Sequence, residues 1–260
     1  VLHELGKPTV AFAMAGGDDG KILKQLLTAQ GIRHVFVTVP GATRNNYHIQ
    51  SLSPRALTQV NAPGPQVSQS ALRRLQQRLR AVASSCRVVI FSGSVPPGVS
   101  SHVYARLIAS LRRRGVPAVL DASGPALAHG LRARPWLIKP NRQEAEELLG
   151  RPIGNVKQAA QAAKALTEQG ARLVVISLGA EGAVLACQDS AHVWVAIPPR
   201  VRADSAVGAG DSLVAGFVAD PRGTRSLQEA LRLGVACGTA TAMTPGTELC
   251  HRHDVERLLP

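Results

Sequence analysis

The residues that first invite a chemical reading stand in the run SAVGAGDS, where Gly208, Ala209 and Gly210 lead directly into Asp211. Two glycines and an alanine carry almost no side chain, so a ligand can approach the main-chain amides closely. The small apolar run after them suits a helix, and the first amides of a helix form an anion pocket that its dipole deepens. A carboxylate beside such a pocket can orient or deprotonate an acceptor hydroxyl while the amides steady the charge of a moving phosphoryl group. The run is neither G-x-x-x-x-G-K-[ST] nor G-x-G-x-x-G, because Leu213 stands where the third glycine belongs. A plainer role stays open, since Asp211 and Ser212 are also good helix caps.

Two further loops carry candidate chemistry. In KPNRQE, Asn141 and Glu144 are three apart at a strand-to-helix junction. They could share one magnesium ion through oxygens or waters, or close a capping box on each other. In SLGAEG, Ser177, Gly179 and Gly182 offer a hydroxyl and amides to a nucleotide, or make an ordinary glycine turn. His48, His102 and His129 show no metal-ligand spacing and read as surface or packing residues.

The elements that must position these loops alternate from residue 87 onward. RVVIF (87–91) reads as a buried strand, a helix is expected over 100–114 up to Gly115, and VPAVLDAS and WLIKP are further strands. NRQEAEELLG is a helix stopped by Gly150, and NVKQAAQAAKALTEQG one capped by Asn155 and stopped by Gly170. RLVVIS, GAVLAC and HVWVAIP follow as strands, then helices over 211–219 and 226–243. This alternation predicts a mostly parallel sheet covered on both faces, with ligands beyond the carboxyl ends of its strands. The first sixty residues differ, with strands in TVAFAMAGG, HVFVTV and NNYHIQSL around one helix at 20–30. They read as a small β excursion from one α/β body.

The 260 residues are 45% hydrophobic, enough for one large core or two modest ones. No apolar run reaches the roughly 18 residues of a membrane span. Four scattered cysteines without a CxxC pair suggest reduced thiols in the cytoplasm rather than a disulfide framework or a zinc site. The formal charge of +13 fits a nucleic-acid binder or an anionic small substrate, yet aromatics are only 3% and the arginines are dispersed over helices such as LRRLQQRLR. The expectation is therefore no nucleic acid and no membrane partner.

Read in order, AMAGGDDGKILKQLLTAQGI, GATRNNYHI, FSGSVPPGV, DASGPAL, LIKPNRQEAEELLG, VVISLGAEGAVL, SAVGAGDSLVAGF and RLGVACGTATAMTPGTELC resemble the ribokinase-like (PfkB) family of carbohydrate kinases from end to end. ATRNN, SGSVPPG and TPGTELC are most similar to its phosphofructokinase and tagatose-6-phosphate kinase branch. The resemblance implies a three-layer αβα sandwich with a mostly parallel sheet and a small β lid. It implies one kinase domain over 1–260, lid strands within about 9–60 and an ATP-binding part over about 130–260. Asp211 would be the catalytic base and Gly208, Ala209 and Gly210 the anion hole. Lys139, Asn141, Ser177, Gly179, Gly182, Ser205, Val207, Val235 and Thr239 would surround ATP, with Asn141 and Glu144 holding magnesium. Oxygens of Ser205, Val207, Thr241, Thr244, Gly246 and Glu248 match a site for a monovalent cation such as potassium. Arg44, Arg73 and Ser94 fall on the sugar-phosphate side, and the lid would pair with a second subunit.

The reaction so implied is ATP-dependent phosphorylation of a hexose phosphate, first of all fructose 6-phosphate to fructose 1,6-bisphosphate. Fructose 1-phosphate or tagatose 6-phosphate are the alternative substrates. The family pattern opens with a strand bearing a substrate-binding aspartate and a glycine-rich segment ending in asparagine, and this chain starts at VLHELGKPTVAF, downstream of both. A truncated, catalytically impaired nucleotide-binding protein is accordingly the reading from another class. Gln59 is a second departure, in a position where one member of the branch has a phosphate-binding arginine.

Overall fold

The structure is a computed structural model that describes residues 1–52, 55–219 and 226–259. The chain forms two compact units, one of Val1–Pro8, Ala83–Ser94 and Ser101–Pro260, the other of Thr9–Val82 and Val95–Ser100.

In the Thr9–Val82 unit, β1 (Val10–Ala15), α1 (Gly17–Ala29) and β2 (Arg33–Thr38) make a βαβ turn with the two strands parallel. Gly16, between β1 and α1, has its amide and carbonyl both tied to the Thr43 hydroxyl, at 3.0 and 3.1 Å, which fixes the loop that leads to Arg44. The hairpin β3 (Asn46–Leu52) and β4 (Arg55–Asn61) is antiparallel, with Tyr47 opposite Val60. Residues 53 and 54, inside the expected lid, lie outside the described residues. Helix α2 (Gln69–Ala83) follows.

The larger unit is built on a six-stranded sheet. Its elements are β5 (Val89–Ser92), α3 (Val103–Arg112), β6 (Ala118–Asp121), α4 (Gly124–Arg132), β7 (Leu137–Ile138), α5 (Arg142–Leu149), α6 (Val156–Glu168), β8 (Leu173–Ser177), β9 (Ala183–Cys187), β10 (Val193–Ala196), α7 (Ala209–Phe217), α8 (Leu227–Met243) and α9 (Arg252–Leu258). The strand order is β10-β9-β8-β7-β6-β5, with β5 to β8 parallel and β9 and β10 added antiparallel. The expected mostly parallel sheet is present. Val119, Leu120, Ile138, Val174, Val175 and Ile176 are fully buried, as strands covered on both faces must be. Gly150 ends α5 in the left-handed conformation (φ 65°), and the Asn155 side chain accepts from the Gln158 amide at 2.9 Å to start α6.

Three elements were not expected. The Gly124-Pro125 start of α4 looks like a turn, although proline is well placed in a first helical turn. The polar β4 has too little alternation to announce a strand, and the short, charged α9 buries Val255 alone.

Helix α7 is set by contact with α8 across missing side chains. A Cβ on Gly216 would lie 2.7 Å from both Cys237 Sγ and the Leu233 carbonyl, and one on Gly234 would lie 2.8 Å from the Leu213 carbonyl. Main-chain atoms cannot yield cheaply, so Gly216→Ala is expected to cost about 1–3 kcal/mol as an overpacked core does. Calorimetric unfolding of the variant should show a midpoint several degrees lower; an unchanged midpoint would contradict the close contact.

Candidate active site

Four neighbouring parallel strands deliver polar side chains at their carboxyl ends. Strand β5 ends on Ser92 and β6 on Asp121, which are partners in the register. The chain leaving β7 reaches Lys139, whose amide donates to the Leu120 carbonyl at 3.1 Å, and β8 ends on Ser177, whose amide donates to the Pro140 carbonyl at 3.0 Å. This is the edge where open α/β sheets bind ligands.

Helix α7 brings its amino end to the same place. Gly208 precedes it in the left-handed conformation (φ 78°), and Ala209 and Gly210 open the helix. A Cβ on Gly210 would lie 3.2 Å from Lys139 Nζ. The ammonium thus stands at the positive end of a helix dipole, which is unfavourable for a cation alone. Asp121 compensates it, with Oδ1 3.1 Å from Nζ. Lys139 is 5% exposed. The amides of Gly208, Gly210 and Asp211 and the ammonium together make a pocket suited to a polyanion, while the Ala209 amide donates to the Ala206 carbonyl at 3.3 Å.

Asp211 is exposed on the first turn of α7, and neither it nor Ser212 caps the helix. The Ser92 hydroxyl donates to Asp211 Oδ1 at 2.9 Å. Tyr104 steadies that turn by donating from Oη to the Gly93 carbonyl at 3.1 Å. The Ser212 hydroxyl instead accepts from Thr241 Oγ1 at 2.7 Å inside the core. Burial raises the Asp121 carboxyl, the Lys139 charge and hydrogen bond lower it, and the charges of Asp211 and Glu144 raise it again. Asp121 thus feels the charges of Asp211 and Glu144 as well as that of its partner Lys139.

Asn141 and Glu144 form the capping box of α5: the Glu144 amide donates to Asn141 Oδ1 at 2.9 Å and the Asn141 amide to Glu144 Oε2 at 2.8 Å. Among the described residues no three His, Cys, Asp or Glu side chains are grouped to hold a metal by themselves. Gly179 and Gly182 bracket a tight turn in which the Gly182 amide donates to the Gly179 carbonyl at 3.0 Å. That amide serves the turn, so of the two glycines expected to present amides Gly182 does not. Val235 and Thr239 are buried on α8, with the Thr239 hydroxyl bonded back to the Val235 carbonyl at 2.8 Å.

The end of α8 gathers the residues matched to a monovalent cation. Thr244 Oγ1 lies 2.7 Å from the Thr241 carbonyl and 2.6 Å from that of Glu248, with Gly246 in the turn between. Ser205 Oγ accepts from the Val207 amide at 3.3 Å, and the Ser205 amide donates to Ala242 at 3.3 Å. Leu249, just beyond, reaches Gly208: a Cβ there would be 2.8 Å from Leu249 Cδ2. Ser94 is exposed in the loop after β5. In the Thr9–Val82 unit the Arg44 guanidinium donates to the Ala62 carbonyl at 3.3 Å, and Arg73 is exposed on α2.

Sequence reasoning passed over Ser92, Tyr104 and Asp121. The signal for Asp121 was present, as a lone carboxylate ending the apolar run VPAVLD. Ser92 and Tyr104 offered none, because their contacts depend on where a turn and a helix meet.

A sequence model described as pfkB family carbohydrate kinase matches residues 1–254. The chain is 34% identical over 258 residues to the ATP-dependent 6-phosphofructokinase isozyme 2 of Mycobacterium tuberculosis, covering 99% of this chain and 75% of that protein. It is 33% identical over 259 residues to the 1-phosphofructokinase of Borreliella burgdorferi, covering 100% of this chain and 82% of that protein. The crystal structure of phosphofructokinase-2 from Escherichia coli in complex with substrates and products matches with a TM-score of 0.92 at 30% identity, over 99% of this chain and 83% of that one.

The capping box makes the magnesium role of Glu144 separable from its structural one. Glutamine completes the same box, so Glu144→Gln should unfold at the wild-type temperature. If the carboxylate also serves the metal, the magnesium concentration for half-maximal activity should rise severalfold. An unchanged magnesium titration would leave Glu144 as a cap alone.

Proposed function

Because the chain belongs to the pfkB family of carbohydrate kinases and has their ribokinase-like fold, we propose that it transfers the γ-phosphoryl group of ATP to a hexose phosphate, with fructose 6-phosphate the leading acceptor. The observation that carries this reading is the arrangement at α7: an amide pocket, a buried ammonium and a carboxylate held by its neighbour, side by side at the strand ends. Relatives named for 6-phosphofructokinase and 1-phosphofructokinase activity match at nearly equal identity. Fructose 1-phosphate is therefore the second acceptor, and tagatose 6-phosphate the third.

In this mechanism the amides of Gly208, Gly210 and Asp211 and the Lys139 ammonium bind the γ-phosphoryl oxygens and hold them in place as charge shifts toward ADP, with Ala209 kept small so that they can approach. Ser92 engages Asp211 Oδ1, which leaves Oδ2 for the acceptor hydroxyl. Asp211 takes the hydroxyl proton as the sugar oxygen forms its bond to phosphorus and the bond to the β-phosphate oxygen breaks. Ser177, Gly179, Ser205, Val207, Val235 and Thr239 would line the remainder of the nucleotide, and Arg44, Arg73 and Ser94 would serve the sugar phosphate.

The donor set fits a magnesium ion bound mainly by phosphates and water: the charges of Asp211 and Glu144 reach Asp121, yet no protein-only cage exists among the described residues. Glu144 and Asn141 would hold it, and it would supply charge neutralisation to the phosphates. The carbonyls of Thr241 and Glu248, already drawn together by Thr244, fit a monovalent cation that would stiffen the loop against Gly208. Tyr47 and Val60, paired and exposed on the hairpin, supply an apolar patch for a second copy of the chain, as a pairing lid requires. No helix among the described residues is long and apolar enough to cross a membrane, and cytoplasmic placement suits a kinase of phosphorylated sugars.

Asp211→Asn is expected to lower kcat with fructose 6-phosphate by about a hundredfold or more, the scale of a lost positioned base. ATP binding by calorimetry should be retained. A coupled ADP-release assay against the three hexose phosphates tests both base and acceptor. Near-normal turnover in the variant would remove Asp211 from the chemistry.

A further inference from the structure

Asp121 ends β6 with a carboxylate that is largely out of water. Its side chain is 14% exposed and that of Lys139 6%, at a separation of 3.1 Å. A buried ion pair is a poor source of stability, because desolvation offsets the attraction and an apolar pair of similar volume often serves as well. The sheet does not need this pair: β6 and β7 are already closed by Val119, Leu120, Leu137 and Ile138. Its position is better explained by what surrounds it. Asp121 is the register partner of Ser92, which holds Asp211, and its partner Lys139 comes so near Gly210 that a Cβ there would lie 3.2 Å from Nζ.

A lysine ammonium is a compact charge on a flexible stem, and here the helix dipole pushes it away from the pocket it serves. Something must hold it there. We propose that Asp121 is a positioning residue for phosphoryl transfer, tethering the Lys139 ammonium beneath Gly210 without touching substrate itself. This rests on the kinase reading above. The tether has two effects of opposite sign. It aims the ammonium, which favours transfer, and it screens the ammonium, which weakens the grip on ATP in the ground state. Catalysis gains only from interactions that strengthen in the transition state, so a tethered, half-neutralised lysine serves turnover better than a free one.

The test is Asp121→Asn, which keeps the shape and removes the charge, combined with Lys139→Ala in a double-mutant cycle. In the single variant kcat should fall roughly ten- to hundredfold, the scale of a misplaced catalytic group. The ATP dissociation constant from calorimetry should fall severalfold at the same time. A purely structural role moves neither in this split manner. In the Lys139→Ala background both effects of Asp121→Asn should vanish. Equal losses in both backgrounds, weaker ATP binding, a raised magnesium requirement or unchanged turnover would each overturn the tether. Should Asp121→Asn fail to fold, the paired change Asp121→Leu with Lys139→Met retains volume without charge. It should fold and turn over slowly, and full turnover would overturn the proposal. Failure of the kinase reading looks different: the unsubstituted chain would turn over none of the three hexose phosphates, while tighter ATP binding in Asp121→Asn, lost with Lys139→Ala, would still report the tether.

Discussion

An ammonium 3.2 Å from where a side chain on Gly210 would begin, that of Lys139, sets how near α7 can come to the ends of the parallel strands. The approach is closed from the other side by Gly216, Gly234 and Gly238, across which α7 meets α8 at main-chain distance. Any bulk at these positions moves the amino end of α7, and with it the amides, Asp211 and the Ser92 contact. The site is thus defined less by the groups it contains than by the absence of side chains that would separate them. Hydrophobic burial of the strands supplies the rigid floor against which so close a contact can be held.

Part of the positive charge lies away from this site. Arginines occupy the last turns of α3 (Arg112) and α4 (Arg132), where they complement the negative ends of the helix dipoles. A groove of about 420 Å³ at the amino ends of β6, β7 and β8 is lined by Arg112, Arg134 and Arg172 together with Glu168. Arg172 is paired there with Asp189 at 3.2 Å. Cations beside helix carboxyl ends, partly matched by acids, are an ordinary way to finish the lower edge of such a sheet.

Much of this was legible in the chain, and for identifiable reasons. Apolar runs closed by glycine announced the parallel strands and their helices because both periodicity and stop signals agree there. The Gly208–Asp211 run announced the start of a helix behind small residues because that signal is local. The capping box at Asn141 and Glu144 was one of two open readings, and the bonds that form it were visible as a spacing. Asp121 and Ser92 were less visible, since their meaning arises only when two strands come into register and a helix from far along the chain arrives beside them. Strand β4 and helix α9 escaped because their polar sequences carry little pattern.

The pairing of Ser92 with Asp121 has a further consequence. These two residues face the same pocket only because β5 and β6 are aligned as they are. A slip of one position turns side chains to the opposite face of a sheet. The alignment is itself held by apolar residues such as Val89, Phe91, Val119 and Leu120, all of them buried. Catalytic geometry in this unit is therefore written partly in hydrophobic shape. Two lineages could keep every polar residue of the site and still diverge in rate through the interior alone, while a repacked interior that preserves the alignment would pass unnoticed by the chemistry.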